Sequence, residues 1–230
     1  MSNLPSIEGK SIVEALSEIC RLHPGKVVFT TSFGYEDQVV TDIICTNHLP
    51  VEIVTLDTGR LFEETYKVFN RTLEKYKIDI KTYHPSGEAV GKMLSEKGPL
   101  SFYESVENRK ECCYIRKVVP LKEALDGHEV WITGLRSEQS ANREKMNAIE
   151  WDEGFGMIKY NPLHDWTLDD VKTHIKENKV PYNVLHDRGF VSIGCAPCTR
   201  AIESGEDFRA GRWWWENNSK KECGLHTHGK

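Results

Sequence analysis

The segment Val27-Val28-Phe29-Thr30-Thr31-Ser32-Phe33-Gly34 decides the fold of this chain. Its first four residues form an apolar run that follows the helix-breaking residues 23–25, so they predict a short buried strand. The remaining four residues form a small turn that leads into a helical pattern at residues 37–47. This combination is typical of one strand of a parallel sheet followed by its crossover helix.

The same order of strand and helix recurs downstream. Apolar runs predict further strands at residues 51–56, 78–83 and 130–133, and helical periodicity precedes the last two, at residues 61–73 and 118–125. Strands that alternate with helices at this spacing indicate an α/β fold, a parallel sheet with helices on both faces. Ligands of such sheets bind beyond the carboxyl ends of the strands, so we expect the functional residues directly after each strand.

Three turns at that edge of the sheet have a composition suited to an anionic ligand. They are Thr31-Ser32-Phe33-Gly34-Tyr35-Glu36-Asp37, Asp57-Thr58-Gly59-Arg60 and Gly134-Leu135-Arg136-Ser137-Glu138-Gln139-Ser140-Ala141-Asn142-Arg143. Free backbone N–H groups and the helix dipole at such turns favour an oxyanion. Serine and glycine are ordinary in any single turn of this kind, but three turns at one edge, two of them with arginine, favour an anionic nucleotide. The first turn lacks the Walker lysine and the Gly-x-Gly-x-x-Gly spacing, which argues against a P-loop NTPase and a dinucleotide enzyme.

The composition narrows the class of protein. The 230 residues contain 30 Lys plus Arg against 35 Asp plus Glu, a net charge of −5, which opposes binding to a nucleic-acid backbone. No apolar run reaches the roughly 18 residues needed to cross a bilayer, and the first residues lack the basic start and apolar core of a signal peptide. Seven cysteines, an odd number, suit a reducing compartment. We therefore expect a cytoplasmic chain with no nucleic-acid and no membrane partner.

Four of the cysteines form two close-spaced pairs, Cys112-Cys113 and Cys195-Ala196-Pro197-Cys198. Four thiolates suffice for a zinc ion or for an iron–sulfur cluster. Adjacent cysteines cannot both point comfortably at one small ion, so the pattern favours a cluster over zinc, and either over four thiols that only pack in a core. Core packing is the interpretation we give to Cys20 and Cys45, each isolated in a predicted helix.

The residues around the first cysteine pair are basic, because residues 109–117 hold four cations and one glutamate. Cations next to metal-bound thiolates balance the anionic site or bind an anionic substrate. For Arg109 and Lys110 a solvated helix face is an equally good interpretation. Lys117, five residues after Cys112 on the same predicted helix, is interpreted as functional.

The C-terminal region carries the remaining candidates. Arg209 and Arg212, three residues apart, can together bind one anion. Three successive tryptophans at 213–215 cannot all face the core, so at least one anchors the following chain or stacks on a base. Cys223 has two lysines and a histidine close by in sequence, whose positive charge favours the thiolate, and it is therefore a candidate nucleophile.

Taken in order, these motifs resemble those of the thiol-dependent adenylyl-sulfate and phosphoadenylyl-sulfate reductases of sulfate assimilation. The matching motifs run from about Val27 to His226: Thr31-Ser32-Phe33-Gly34, Leu56-Asp57-Thr58-Gly59-Arg60, Cys112-Cys113, Gly134-Leu135-Arg136 with Gln139-Ser140 and Arg143, Ser192-Ile193-Gly194-Cys195 with Pro197-Cys198-Thr199, Arg209 to Trp215, and Glu222-Cys223-Gly224-Leu225-His226. The resemblance implies a Rossmann-like α/β fold of the adenine-nucleotide hydrolase type that ends in a flexible catalytic tail. It implies a nucleotide- and cluster-binding domain at residues 1–205 and the tail at residues 206–230.

The resemblance also implies a cofactor and a substrate. A 4Fe-4S cluster is held by four cysteines, namely Cys112, Cys113, Cys195 and Cys198. Members with both cysteine pairs usually prefer adenosine 5'-phosphosulfate, so this is the expected substrate. Reduction of the 3'-phosphorylated nucleotide, or of both nucleotides, stays open as an alternative, and so do a non-catalytic iron–sulfur sensor and the oligomeric state. A pyrophosphatase-type adenylating enzyme is disfavoured, because residues 32–37 are not Ser-Gly-Gly-x-Asp-Ser.

The implied mechanism is a two-step transfer. Cys223 attacks the sulfonyl sulfur and displaces AMP, and a reduced thioredoxin- or glutaredoxin-like dithiol then releases sulfite from the S-sulfocysteine. His226 either assists thiolate formation or is only solvated. The charge is stabilised by four cations, Lys117, Arg143, Arg209 and Arg212. The nucleotide lies against a further set of residues: Ser32, Phe33, Gly34, Leu56, Gly59, Arg60 and Arg136.

Overall fold

The fold is built on one six-stranded sheet. The computed structural model describes residues 4–139 and 146–216. The strands are β1 Val27–Thr31, β2 Glu52–Leu56, β3 Lys81–Tyr83, β4 Val130–Ile132, β5 Ile149–Asp152 and β6 Met157–Tyr160, and their order in the sheet is β3-β2-β1-β4-β6-β5. Strand β1 is parallel to β2 and β4, and β4 is parallel to β6. The mostly parallel sheet confirms the predicted α/β class.

The structure confirms the four predicted strands as β1 to β4 and adds a hairpin that the sequence did not predict. Strands β5 and β6 pair in antiparallel fashion, with Trp151 opposite Ile158. The segment Ile149-Glu150-Trp151-Asp152 lies at the edge of the sheet and alternates apolar and acidic residues. Such a short alternating stretch gives a much weaker signal than the continuous apolar runs of buried parallel strands.

The helices connect the strands in the predicted alternation, with α4 and α7 as additions. They are α1 Ile12–Leu22, α2 Tyr35–Thr46, α3 Glu63–Tyr76, α4 Gly87–Lys97, α5 Val106–Cys113, α6 Val119–Leu125 and α7 Leu168–Glu177. Helix α1 begins with a capping box, in which Ser11 and Glu14 satisfy each other's backbone N–H groups. Among the described residues, no helix combines the length and the apolar character that a membrane span requires.

A π-helical turn at Tyr114–Val118 joins α5 to α6 directly after the first cysteine pair. The backbone N–H of Val119 donates to the carbonyl of Tyr114, five residues earlier. Pro120 has no N–H for the carbonyl four residues before it, and its ring crowds that carbonyl, so the turn widens. Single π turns within α-helices are frequent at functional sites.

The described residues divide into two compact units. The first comprises residues 4–55, 63–81, 127–139 and 146–184, and the second comprises residues 56–62, 82–126 and 185–216. The core of the first unit is aliphatic and aromatic, with residues such as Leu16, Phe29 and Val130. A buried cluster in the second unit contains three cysteines beside Met93, Phe102 and Trp213. Residues 206–216 of the predicted tail belong to the second unit, and the boundary after residue 205 stays a prediction.

Candidate active site

A pocket in the second unit brings together both cysteine pairs. It encloses about 300 Å³, including its opening. Its walls consist of cysteines, cations and one aromatic ring: Cys112, Cys113, Cys195, Cys198, Arg60, Arg109, Arg116, Lys117 and Phe102. The four predicted ligands of the cluster and the predicted catalytic cation Lys117 therefore share one cavity.

Five of the lining residues lie on one helical stretch, at Arg109, Cys112, Cys113, Arg116 and Lys117. Their spacing is i, i+3, i+4, i+7 and i+8, which places side chains on one helix face. The sequence analysis left Arg109 open and did not select Arg116. The helical spacing of cations relative to the cysteines was the signal that could have identified both.

The second cysteine pair lies on a tight turn that packs against the Asp57-Thr58-Gly59-Arg60 turn. A short 3-10 helix, Ala196–Cys198, contains Pro197 and ends at the last cysteine. The backbone N–H of Ala196 donates to the carbonyl of Arg60 at 2.8 Å, and the hydroxyl of Thr58 lies 3.3 Å from the Cys195 sulfur. Arg116 donates to the carbonyl of Thr58 at 2.6 Å. The turn after β2 is thus bound to both cysteine-bearing segments.

Burial favours the neutral form of two thiols in this pocket, because it raises the pKa of Cys198 and of Cys112. Burial raises the pKa of Cys198 to about 12, and the neighbouring Cys195 thiol adds to the effect, while Arg212 and Lys117 oppose it. Burial also raises the pKa of Cys112, against the influence of Arg60 and Arg116. Thiols of this kind ionise when a metal supplies positive charge, which couples deprotonation to binding.

The arrangement does not form a compact single-ion site. In the part of the chain that the structure describes, no group of three or more Cys, His, Asp or Glu side chains is placed to bind one metal ion. A zinc ion needs four ligands about 2.3 Å from one centre when all are thiolates. The pocket nevertheless holds four thiols, the number of ligands that either a zinc ion or an iron–sulfur cluster requires.

Buried donors around the cysteines also fit an acceptor-rich group. Four N–H groups are buried without a hydrogen-bond partner among the described residues: Nε of Arg116, Nε of Arg212, Nε1 of Trp213 and Nε1 of Trp215. Each such donor costs about 1–3 kcal/mol if it stays unpaired. Arg116 lines the pocket, and Trp213 and Trp215 pack against the cysteines. Of these four donors, the Nε of Arg116 belongs to a residue that lines the pocket, and an anionic group bound there would offer it an acceptor.

The predicted anion clamp, Arg209 and Arg212, is organised around one indole. The guanidinium carbons of Arg109, Arg212 and Arg209 lie 4.6, 4.9 and 5.9 Å from the centre of the Trp213 ring. Arg212 is buried and packs against Gly194, where a Cβ atom would overlap its guanidinium. Arg209 and Arg212 therefore lie in the same unit as the cysteines. Both guanidinium groups lie near the ring of Trp213, which belongs to the same buried cluster as three of those cysteines.

Arg109 is the third cation on that indole, and it forms a buried ion pair. Its Nε and Nη2 atoms donate to the two carboxylate oxygens of Glu216 at 2.8 and 3.0 Å. Both side chains are 4% exposed. The ion pair connects helix α5, one turn before Cys112, to the last described residue of the chain.

Three residues that were predicted to bind the nucleotide lie at the end of β2 and in the turn that follows it, in the second unit. They are Leu56, Gly59 and Arg60. Leu56 ends β2 and is half-buried, and Gly59 has a φ of +69°, which glycine adopts without strain. Arg60 donates from Nη2 to the carbonyl of Pro99 at 2.7 Å, and its guanidinium lies 4.7 Å from the centre of the Phe102 ring. The side chain of Arg60 is thereby held at the wall of the cysteine pocket.

The first unit contains the predicted turn around Ser32. The backbone N–H and the hydroxyl of Ser32 both donate to one carboxylate oxygen of Asp37, at 2.5 and 2.7 Å. Burial raises the pKa of Asp37 to about 6, although the bonds from Ser32 lower it. Phe33 has a φ of +60°, is 1% exposed and stacks on Phe69, so its side chain belongs to the core. Gly34 precedes helix α2 as its N-cap.

Arg136, predicted to contact the nucleotide, is already paired within the first unit. It is 1% exposed and donates to Glu36 at 2.9 Å and to Glu138 at 3.0 Å. Sequence patterns do not reveal such pairing, because Glu36 lies 100 residues away. These hydrogen bonds show that Arg136 stabilises the turn in which it lies. Direct contact between Arg136 and a substrate stays a prediction.

Three predicted site residues lie outside the described residues: Arg143, Cys223 and His226. Their proposed roles therefore stay predictions. Cys20 and Cys45 are described, and both contribute to the core of the first unit, Cys20 from α1 and Cys45 from α2. Burial raises the pKa of Cys45 to about 11, as for a packed thiol.

Solved structures of other proteins share this fold. A crystal structure of phosphoadenylyl-sulfate (PAPS) reductase from Candida auris in a phosphate complex superposes with a TM-score of 0.72 and 30% sequence identity, covering 86% of this chain and 93% of that one. Yeast FAD synthetase superposes with a TM-score of 0.56 at 17% identity, over 83% of this chain and 64% of its own. The second likeness concerns the fold alone.

Comparison of sequences identifies the family. Adenosine 5'-phosphosulfate reductase from Agrobacterium fabrum is 47% identical over 97% of this chain and 86% of its own length, and the protein of the same name from Allochromatium vinosum is 50% identical over 97% and 86%. The family model described as the phosphoadenosine phosphosulfate reductase domain matches residues 26–201. This chain therefore belongs to the phosphoadenosine phosphosulfate reductase family.

Proposed function

We propose that this chain is an adenylyl-sulfate reductase, an oxidoreductase that converts adenosine 5'-phosphosulfate to sulfite and AMP in sulfate assimilation. The observation that supports this most is the pocket in which both cysteine pairs meet Arg60, Arg109, Arg116 and Lys117. Relatives that share about half of their residues with this chain carry the name adenosine 5'-phosphosulfate reductase. The family membership and the charge of the pocket thus agree on an anionic sulfur-containing substrate.

The proposed cofactor is a 4Fe-4S cluster bound by Cys112, Cys113, Cys195 and Cys198. When bound, it supplies a compact centre whose charge and acceptor atoms organise the cations around it. The unpaired N–H groups of Arg116, Trp213 and Trp215 would be the nearby donors available to it. Lys117 lines the same pocket, and we assign it to binding the anionic substrate.

The proposed reaction begins with the thiolate of Cys223. It attacks the sulfur of the sulfonyl group, a new S–S bond forms, and the bond between this sulfur and the bridging phosphate oxygen breaks, so that AMP leaves with the electron pair. The product on the protein is S-sulfocysteine. Lys117, Arg143, Arg209 and Arg212 stabilise the charge on the phosphate and sulfonyl oxygens.

The second step uses a reduced thioredoxin- or glutaredoxin-like dithiol. One of its thiolates attacks the Cys223 sulfur, which forms a mixed disulfide and releases sulfite. The other thiolate then attacks its own partner sulfur, which frees Cys223 and leaves the donor as a disulfide, oxidised by two electrons. Because the nucleophile and the cluster ligands must stay reduced, we propose that the reaction takes place in the cytoplasm.

The test compares two nucleotides in one assay of sulfite release with a dithiol donor. We expect turnover of adenosine 5'-phosphosulfate in preference to its 3'-phosphorylated form. Cys223→Ser should bind the nucleotide and keep the cluster but form no S-sulfonate, which mass spectrometry of residues 222–226 detects in the unsubstituted protein. Absence of sulfite from both nucleotides, or full turnover by Cys223→Ser, would falsify the proposal.

A further inference from the structure

An exposed aromatic face lies at the surface of the second unit. We define it by Leu100, Tyr103 and Trp214, which are 59%, 36% and 49% exposed. The ring centres of Tyr103 and Trp214 lie 6.5 Å apart, and Trp215 lies behind them, 4.4 Å from Tyr103 and 5.7 Å from Trp214. Leu100 immediately precedes the short 3-10 helix Ser101–Tyr103, and its carbonyl accepts from the Tyr103 N–H at 3.0 Å.

The backbone conformation directs the side chain of Trp214, the middle of the three successive tryptophans at 213–215, toward the surface. Trp213 is 1% exposed and has a φ of +43°, in the left-handed region that a bulky residue rarely adopts. The ring of Trp213 thereby joins the core, and that of Trp214 reaches the surface. Single exposed aromatic residues are ordinary, but a cluster of them marks an interaction surface.

The chain that follows determines which partner can reach this face. Cys223 follows Glu216, the last described residue, by seven positions in the chain. A chain of that length spans about 25 Å at most, at roughly 3.3–3.6 Å per residue. A donor that forms a disulfide with Cys223 must therefore lie within that distance of residue 216, two residues after Trp214.

The size of the donor brings it onto the face. A dithiol protein of about 100 residues has a radius of gyration of about 13 Å. A body of that size, bonded to a cysteine within about 25 Å of residue 216, can contact the surface around Trp214. Tyrosine and tryptophan are the residues most often found at the energetic centre of protein interfaces.

We propose that the exposed aromatic face is the docking surface for the dithiol protein that releases sulfite from Cys223. This inference rests on the proposed function, because it needs an S-sulfonated Cys223 as the group to be reduced. A small apolar patch suits a short-lived complex, as redox partners form interfaces at the low end of the size range.

The experiment separates the two half-reactions in Trp214→Ala and in Leu100→Ser. We expect the KM for reduced thioredoxin to rise about tenfold or more, as for truncation of an interface anchor. Turnover with a small-molecule dithiol and single-turnover S-sulfonation of Cys223 without reductant should be unchanged. Because Leu100→Ser removes no aromatic packing, it tests the proposal even if Trp214→Ala impairs folding.

Matched controls come from the first unit. Trp151 on β5 and Tyr66 on α3 are 37% and 41% exposed, and Trp151→Ala and Tyr66→Ala should leave the KM for thioredoxin unchanged. The docking proposal is overturned if the face variants behave like these controls. It is also overturned if the face variants slow S-sulfonation itself, because the face would then bind the chain after residue 216. Loss of a concentration-dependent dimer in these variants would likewise overturn it, because the face would then bind a second copy of the chain. A wild-type protein that releases no sulfite with either reductant contradicts the proposed function instead.

Discussion

At the scale of single residues, Asp42 shows how a buried charge is kept ionised in the first unit. Its carboxylate is 5% exposed and accepts from Tyr76 at 2.6 Å and from His174 at 2.8 Å, with the Lys75 ammonium at 3.5 Å. Burial alone raises the pKa of Asp42, but these three groups together bring it below its ordinary value. Helices α2, α3 and α7 thus meet at one carboxylate.

The lowered pKa predicts the pH at which this carboxylate contributes to stability. Its contribution is fully present above the unfolded pKa of about 3.9 and is lost as the pH falls through the lower folded pKa. Asp42→Asn should therefore reduce the free energy of unfolding by about 2 kcal/mol at pH 7, and by less below pH 4. Urea denaturation at both pH values measures the difference, with the exposed Asp79→Asn as control. An equal loss at both pH values contradicts this account.

At the scale of elements, helix α5 and the segment that ends at Glu216 are joined by the buried Arg109–Glu216 pair. Removing one partner of such a pair leaves a buried charge without compensation, which costs about 3–5 kcal/mol. Glu216→Gln should therefore strongly destabilise the second unit. The exposed pair Lys97–Glu111 offers a matched control on the same helix, and Glu111→Gln should cost less than about 1 kcal/mol.

Chemical unfolding followed by tryptophan fluorescence distinguishes the loss of the pair from the loss of a single charge. A double variant, Arg109→Met with Glu216→Leu, replaces both charges with apolar groups and should be more stable than Glu216→Gln alone. If Glu216→Gln is no worse than Glu111→Gln, the pair does not hold these elements together.

At the scale of the whole molecule, the two units have different kinds of core. The core of the first is aliphatic and aromatic, whereas a buried cluster of the second includes Cys112, Cys195 and Cys198. A unit whose core contains metal ligands depends on the metal for part of its folding free energy. We expect anaerobically purified protein to contain about four irons and four acid-labile sulfides per chain.

Removal of that iron should loosen one unit only. Amide hydrogen exchange should accelerate in residues 82–126 and 185–216 and stay unchanged in the strands β1 and β4. Cys198→Ser should lose the iron, and Cys45→Ser, in the first unit, should retain it. Stoichiometric zinc without iron or sulfide, or equal acceleration in both units, contradicts the expected cluster.

The local sequence by itself determined the parallel strands β1, β2 and β4 and the spacing of the cysteine pairs. The apolar runs of β1, β2 and β4 need no partner to be recognised, because parallel strands are buried on both faces. The spacing of Cys195 and Cys198 is likewise local, and so is the glycine that the turn at Gly59 requires. These features depend on the conformational preferences of single residues and on contacts between residues close in sequence, so the sequence alone is enough to predict them.

The tertiary structure decided which charges remain for chemistry. Arg136 and Arg109 pair with Glu36 and Glu216, which lie 100 and 107 residues away, and nothing in their local sequence reveals these partners. The pocket itself exists only because the turn after β2, the helix of the first cysteine pair and the turn of the second pair meet. Contacts over such distances depend on how the elements pack, and burial then sets both the pairing and the pKa of each group.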